Sequence, residues 1–148
     1  MLTRIDHVGI ACRDLAASIA LYESAFGLTV ASMEVNEAQG VKEAMLRVAD
    51  GPAGNSYVQL LEPLGPDTPV GKFLARRGEG VHHVGYGVAS ITAALAAIGA
   101  TGVRLIDERP RHGSMGASIA FLHPADIGGV LTELVQAPGD DLSSHRPE

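Results

Sequence analysis

Ile5-Asp6-His7-Val8-Gly9-Ile10-Ala11-Cys12 returns 76 positions later as Val81-His82-His83-Val84-Gly85-Tyr86-Gly87-Val88, with His-Val-Gly identical in the two copies (His83 against His7). Each copy alternates large and small residues, the period of a strand with one packed face. A helix signal follows each at the same offset. Asp14 and Ser90 are N-cap types. Leu15, Ile19 and Tyr22 then match Ile91, Leu95 and Ile98, an i, i+4, i+7 stripe that buries one helix face. The copies also end alike. Tyr57-Val58-Gln59-Leu60-Leu61 corresponds to Leu131-Thr132-Glu133-Leu134-Val135, 74 positions later, so the second copy has two fewer residues in between. Each half therefore reads as strand, helix and three strands. Strands are expected near 4–12, 29–35, 41–48 and 57–62, and again near 81–88, 103–107, 117–122 and 130–136. The fold class is α+β, two βαβββ modules.

A chain of 148 residues fits one domain. It is expected to occupy 1–137, with module one at 1–63, a linker at 64–79 and module two at 80–137. The polar stretch 138–148, which includes His145, reads as a disordered tail. In the linker Pro69 can open a short helix, Val70, Phe73 and Leu74 can pack, and Gly78 can stop it; Lys72, Arg76 and Arg77 read as its solvated face. Hydrophobic residues make up 46% of the chain, too many for disorder, and six aromatics with no Trp leave an aliphatic core. The net charge of −6 argues against a nucleic-acid partner, which needs clustered cations. It leaves room for an anionic small molecule held by a metal and a few local cations. Cys12 has no second cysteine to pair with and reads as a small buried hydrophobe, which implies a reducing, cytoplasmic setting. No secretory leader pattern opens the chain, and no apolar stretch reaches the roughly 20 residues of a membrane span.

In the first strand Val8, Ile10 and Cys12 share the face suited to the helix, and His7, Gly9 and Ala11 share the other. In the fifth, Val84, Tyr86 and Val88 pack, and His83 lies with Gly85 and Gly87. One histidine alone would read as a hydrogen-bonded structural residue. Two at repeat-equivalent positions, beside residues small enough to leave space, point to a metal. Gln59 and Glu133 sit at equivalent places on the last strand of each half. A strand glutamine is usually only hydrogen-bonded, and Glu133 could be an ion-paired edge residue, but as a pair they complete an N₂O₂ donor set. Such a set suits Co, Ni, Mn, Zn or Fe(II) and does not choose among them.

The paired His-Val-Gly strands with Gln59 and Glu133 resemble the vicinal oxygen chelate superfamily. Within it the chain resembles the methylmalonyl-CoA epimerase family, through Ile5–Ala11, Gln39-Gly40-Val41-Lys42-Glu43-Ala44, Gln59-Leu60-Leu61-Glu62-Pro63, Gly80-Val81-His82-His83-Val84 and Pro110-Arg111-His112-Gly113. The resemblance runs to about Ala137. It implies a cupped eight-stranded mixed sheet around one divalent metal, held by His7, Gln59, His83 and Glu133. Co2+ is the first expectation, with Mn2+, Ni2+ or Zn2+ as alternatives. It implies an isomerase acting on an acyl-CoA: metal-assisted deprotonation of methylmalonyl-CoA at C2 to an enolate, then reprotonation on the opposite face, in a cytoplasmic homodimer of propionyl-CoA metabolism. The acid/base pair it implies is Glu43 and Glu133. By strand parity Glu43 lies with Val41 and Met45, opposite a packed face of Ala44, Leu46 and Val48; on the residues alone an exposed strand glutamate is an equal reading. The 74-residue offset makes Ala117 its repeat partner, so the second half lacks a matching carboxylate.

Three rivals share the fold. A glyoxalase I-type isomerase would carry Glu rather than Gln at position 59. An Fe(II) extradiol-type dioxygenase would use two His and one Glu, leaving Glu43 and Gln59 without a task. A non-enzymatic binder would lack the ligand set. His82, on the face opposite His83, and His123, before Pro124 in a turn, read as structural. The loop Arg109–Gly116 can close over substrate or simply be solvated. No nucleophile elbow, Walker or Rossmann glycine pattern is present.

Overall fold

The computed structural model describes residues 1–51 and 54–140. In chain order the elements are β1 (Leu2–Ala11), α1 (Leu15–Phe26), β2 (Thr29–Asn36), β3 (Val41–Gly51), β4 (Gly54–Pro63), α2 (Pro69–Arg77), β5 (Gly80–Val88), α3 (Ile91–Ala100), β6 (Arg111–His112), β7 (Ser118–Leu122) and β8 (Thr132–Gln136), with 3₁₀ turns at Ser114–Gly116 and Pro124–Asp126. The strands form one eight-stranded mixed sheet in the order β2-β3-β4-β1-β5-β8-β7-β6. β1 runs parallel to β4, and β5 parallel to β8. The β2/β3, β3/β4, β6/β7 and β7/β8 pairs are antiparallel. The chain forms two compact units, His7–His83 and Met1–Asp6 with the chain from Val84 onward, and the division falls inside β1 and inside β5.

In the His7–His83 unit, Asp14 caps α1 by accepting from the Ala17 N–H at 3.0 Å. Leu15 and Ile19, with Tyr22, pack on Cys12, Ala44, Leu46 and Leu60. Burial raises the Cys12 thiol pKa above its ordinary value, as a packed, unreactive thiol requires. Thr68 caps α2 from its hydroxyl, Pro69 opens the helix, and Gly78 ends it at φ 73, a left-handed backbone that favours glycine. Val70 and Leu74 of α2 pack on Ala11, Val41 and Leu61, the face of the sheet opposite α1.

The other unit repeats the plan. Ser90 caps α3 by accepting from Ala93 N–H at 3.2 Å, and Ile91, Leu95 and Ile98 pack on Val88, Ala120, Leu122 and Leu134. Arg104 grips Asp126 and holds its carboxyl at about 2, well below the usual carboxylate range. Asp140 accepts from the Arg4 guanidinium at 3.0 Å and from the Ala137 N–H at 2.8 Å, so the expected tail is tied down at its start. The rest of that tail, 141–148 with His145, lies outside the described residues.

The structure corrects three details. The expected strand at 103–107 is not a ladder: Leu105 makes one isolated bridge to Leu122, and the Ile106 and Asp107 N–H groups both donate to Phe121 C=O. Two donors on one carbonyl break the alternation a strand needs, and β6 forms instead at Arg111–His112. Val48 does not join the α1 face and is exposed, because the β3/β4 register shifts between Arg47 and Ala49. Finally, Met45 pairs with Gln59 and Phe121 with Glu133, so Glu43 corresponds to Ile119 rather than Ala117. The two-residue difference between the halves lies in the connection to the last strand. Among the described residues no helix is long and apolar enough to cross a membrane.

Candidate metal and acid–base site

Within each unit, parity and register put the candidate residues on one face of their strands. His7, Gly9 and Ala11 alternate with the α1-packed residues of β1, and the parallel register sets His7 opposite Tyr57 and Gly9 opposite Gln59. The antiparallel register carries the same rows onto β3, where Met45 faces Gln59 and Glu43 faces Leu61. On β5, His83 and Gly85 share a face, and Gly85 stands opposite Glu133 of β8. The backbone thus presents five polar side chains among apolar neighbours, and all are buried: His7 and His83 at 3% exposure, Glu43 at 3%, Glu133 at 5% and Gln59 at 6%.

The His7 and His83 Nε2 atoms are 2.9 Å apart, their rings edge to face. One ligand atom each of His7, His83 and Glu133 lies within 4.8 Å of the others. Gln59 Nε2 donates to Glu43 Oε2 at 2.9 Å, so the donor end of the amide is committed to Glu43 and its oxygen is the end suited to a cation. The donor chemistry fits a divalent metal: two imidazoles and a carboxylate, with an amide oxygen on the same face. So does the spacing, since two nitrogens bound at a right angle with bonds of about 2.0–2.1 Å stand about 2.9 Å apart.

Gly9 makes the space. A Cβ there would overlap the His83 ring, so only glycine lets the imidazole lie across β1. Gly9→Ala is expected to lower affinity for a divalent cation about 10–100-fold, the usual cost of disturbing a group that orients a ligand. Competition with a chelator measures it, and an unchanged affinity would show that the ring position does not matter.

Three neighbours escaped the strand-by-strand reading. His82 does not simply turn away: its Nδ1 lies 2.9 Å from His83 Nδ1, and its ring meets Phe73 of α2 edge to face. The far nitrogen of a ligating imidazole ordinarily has such a partner, which sets tautomer and ring angle. Tyr57 and Arg47 lie in the His7 row, with the Arg47 guanidinium 5.8 Å from the Tyr57 ring centroid. Extending the parity one step from Gln59 and two from Glu43, past Met45, would have found both. His123 is structural as expected, accepting from Ala125 N–H at the second 3₁₀ turn. In the 109–116 loop Arg111 is held by Asp107 at 3.1 Å and stacks on Phe121, while Met115 is the one described non-glycine residue with positive φ, 57°.

The chain resembles known proteins over most of its length. Residues 6–121 match the glyoxalase/bleomycin resistance protein/dioxygenase superfamily. A methylmalonyl-CoA epimerase solved in complex with methylmalonyl-CoA and NH4+ superposes with a TM-score of 0.92 at 53% identity, over 95% of this chain and 99% of that one. A variant of the Streptomyces coelicolor methylmalonyl-CoA epimerase in complex with 2-nitronate-propionyl-CoA gives 0.91 at 54%, over 93% and 99%. The ethylmalonyl-CoA/methylmalonyl-CoA epimerase of Cereibacter sphaeroides is 34% identical over 92% of this chain and 99% of its own.

Proposed function

Because the chain belongs to the glyoxalase/bleomycin resistance protein/dioxygenase superfamily, we infer that its site is that of a methylmalonyl-CoA epimerase, an isomerase that interconverts the 2S and 2R forms. The observation that carries the reading is Glu43: a buried carboxylate on the face that bears the histidines, hydrogen-bonded to Gln59. A dioxygenase would have no use for it. Position 59 is Gln, not the Glu of a glyoxalase I-type isomerase.

Epimerisation asks for three things. A C–H bond at C2 must break with its electron pair left behind, spread onto the thioester carbonyl. A base must take the proton, and an acid must return one from the other side. His7, Gln59, His83 and Glu133 would hold the divalent ion, Co2+ first and Mn2+, Ni2+ or Zn2+ as alternatives. Such an ion supplies positive charge where the oxygens become more negative, worth several kcal/mol. Glu43 is the group we assign to one face of C2, its Oε2 steadied by the Gln59 amide. Glu133 is assigned to the other. Val70 and Leu74 of α2 cover the apolar residues beside Glu43 and keep water from that end of the face. The reading takes 1–137 as one working domain, acting on an acyl-CoA as a cytoplasmic homodimer. The single cysteine, free and buried, supports a reducing compartment.

Incubated in D₂O with Co2+, the protein is expected to wash deuterium into C2 of methylmalonyl-CoA and to equilibrate the two epimers, followed by mass spectrometry and chiral analysis. No exchange from protein whose bound metal has been confirmed would remove the reading.

A further inference from the structure

Two successive histidines of β5 meet through the same ring atom. His83 Nδ1 lies 2.9 Å from His82 Nδ1, with the rings nearly perpendicular at 87° and their centroids 5.2 Å apart. The other nitrogen of His83, Nε2, stands 2.9 Å from His7 Nε2, on the side of the candidate metal. A neutral imidazole that gives its Nε2 lone pair to a cation carries its proton on Nδ1. The short approach between the two Nδ1 atoms then has one workable arrangement. His83 Nδ1–H donates, His82 Nδ1 accepts, and His82 keeps its own proton on Nε2. Two protons between the atoms would collide, and two lone pairs would repel.

The His82 ring is itself braced. Half-buried, it meets the Phe73 ring edge to face, with centroids 5.1 Å apart at 79°, a geometry that aromatic pairs favour. Phe73 belongs to α2, which Val70 and Leu74 anchor on Ala11, Val41 and Leu61. All of these residues lie in the His7–His83 unit. The strand plan does not ask for a histidine at this place, since the repeat-equivalent residue of β1 is Asp6. Resting on the metal-dependent epimerase reading, we propose that His82 is a positioning residue: seated on Phe73, it fixes the tautomer and ring angle of His83. The helix that covers the apolar residues beside Glu43 thereby also sets one ligand of the metal, and a change in its seating reaches both.

Two variants separate this role from plain packing. His82→Phe keeps a ring against Phe73 and loses the acceptor. His82→Asn loses the ring and keeps an acceptor, its amide oxygen, where Nδ1 stood. Affinity for Co2+, measured by competition with a chelator, is expected to fall about 10–100-fold in His82→Phe, the usual cost of removing a partner that orients a ligand. His82→Asn is expected to recover most of that loss. A residue that only filled space would give the reverse order, and that order, or a His82→Phe affinity equal to wild type, would overturn the proposal. Wild type offers a readout that needs no variant. In nitrogen-labelled protein loaded with Zn2+, NMR is expected to find the His83 proton on Nδ1 and the His82 proton on Nε2. A proton on His82 Nδ1 would overturn the assignment. Should these results fail while wild type binds Co2+ and exchanges deuterium into methylmalonyl-CoA, the epimerase reading stands and only this role is lost. Wild type that binds neither Co2+ nor Zn2+ overturns both.

Discussion

Glu43→Gln is expected to keep its metal and lose turnover by about 10²–10⁴-fold, the range that a positioned acid/base group contributes. The substitution suits the question because it changes little else. Glutamine has the shape of glutamate, and its oxygen can still accept from Gln59 Nε2, the bond that now runs to Glu43 Oε2. Position 43 is fully buried beside Met45 and Leu61, so a change in size would confound the result. The loss should fall on kcat, with KM near the wild-type value, since the missing proton acceptor matters only as the C–H bond breaks. A variant that turns over normally while holding metal would remove Glu43 from the chemistry.

The second large effect concerns binding. His7→Ala is expected to release Co2+ on dialysis, measured by elemental analysis, with an affinity loss beyond the about 10–100-fold that losing a mere supporting partner costs. Heat supplies an independent readout. A metal that binds only the folded chain stabilises it by about 4 kcal/mol at 1,000 times its Kd, roughly 8–16 °C in a chain of this size. Wild type should show that rise when Co2+ is added, and His7→Ala should not. The apo variant is also expected to melt lower, because truncating a buried ring leaves a cavity against His83. Equal metal content in the two proteins would refute His7 as a ligand.

Most of the fold was legible because the repeat counts the same signals twice. Asp14 and Ser90, with the stripes behind them, locate α1 and α3, and strand parity alone separates the packed face of β1 from the face of His7. The errors have local causes. Arg104–Asp107 carries a strand-like composition, but Arg104 is drawn to Asp126 and the chain bends before Pro110; these are tertiary pulls that alternation does not encode. Val48 was misplaced because parity fails after a register shift, which no residue type announces. Ala117 was matched to Glu43 by counting back from the last strand, although the missing residues lie between. Pairing partners, Met45 with Gln59 and Phe121 with Glu133, settle that alignment. His82 shows the limit of two-sidedness as a guide: side chains of neighbouring residues can still meet at a strand's edge when one is long enough to turn back.

The halves are alike at Gly9 and Gly85 but not at Glu43, whose counterpart is the apolar Ile119. Two identical half-chains associating by symmetry would be obliged to carry such a carboxylate twice or not at all. Fusion in tandem lifts that constraint, since each copy then drifts separately under selection. A carboxylate in one half with an apolar side chain at the matching place in the other is a difference that the tandem arrangement permits.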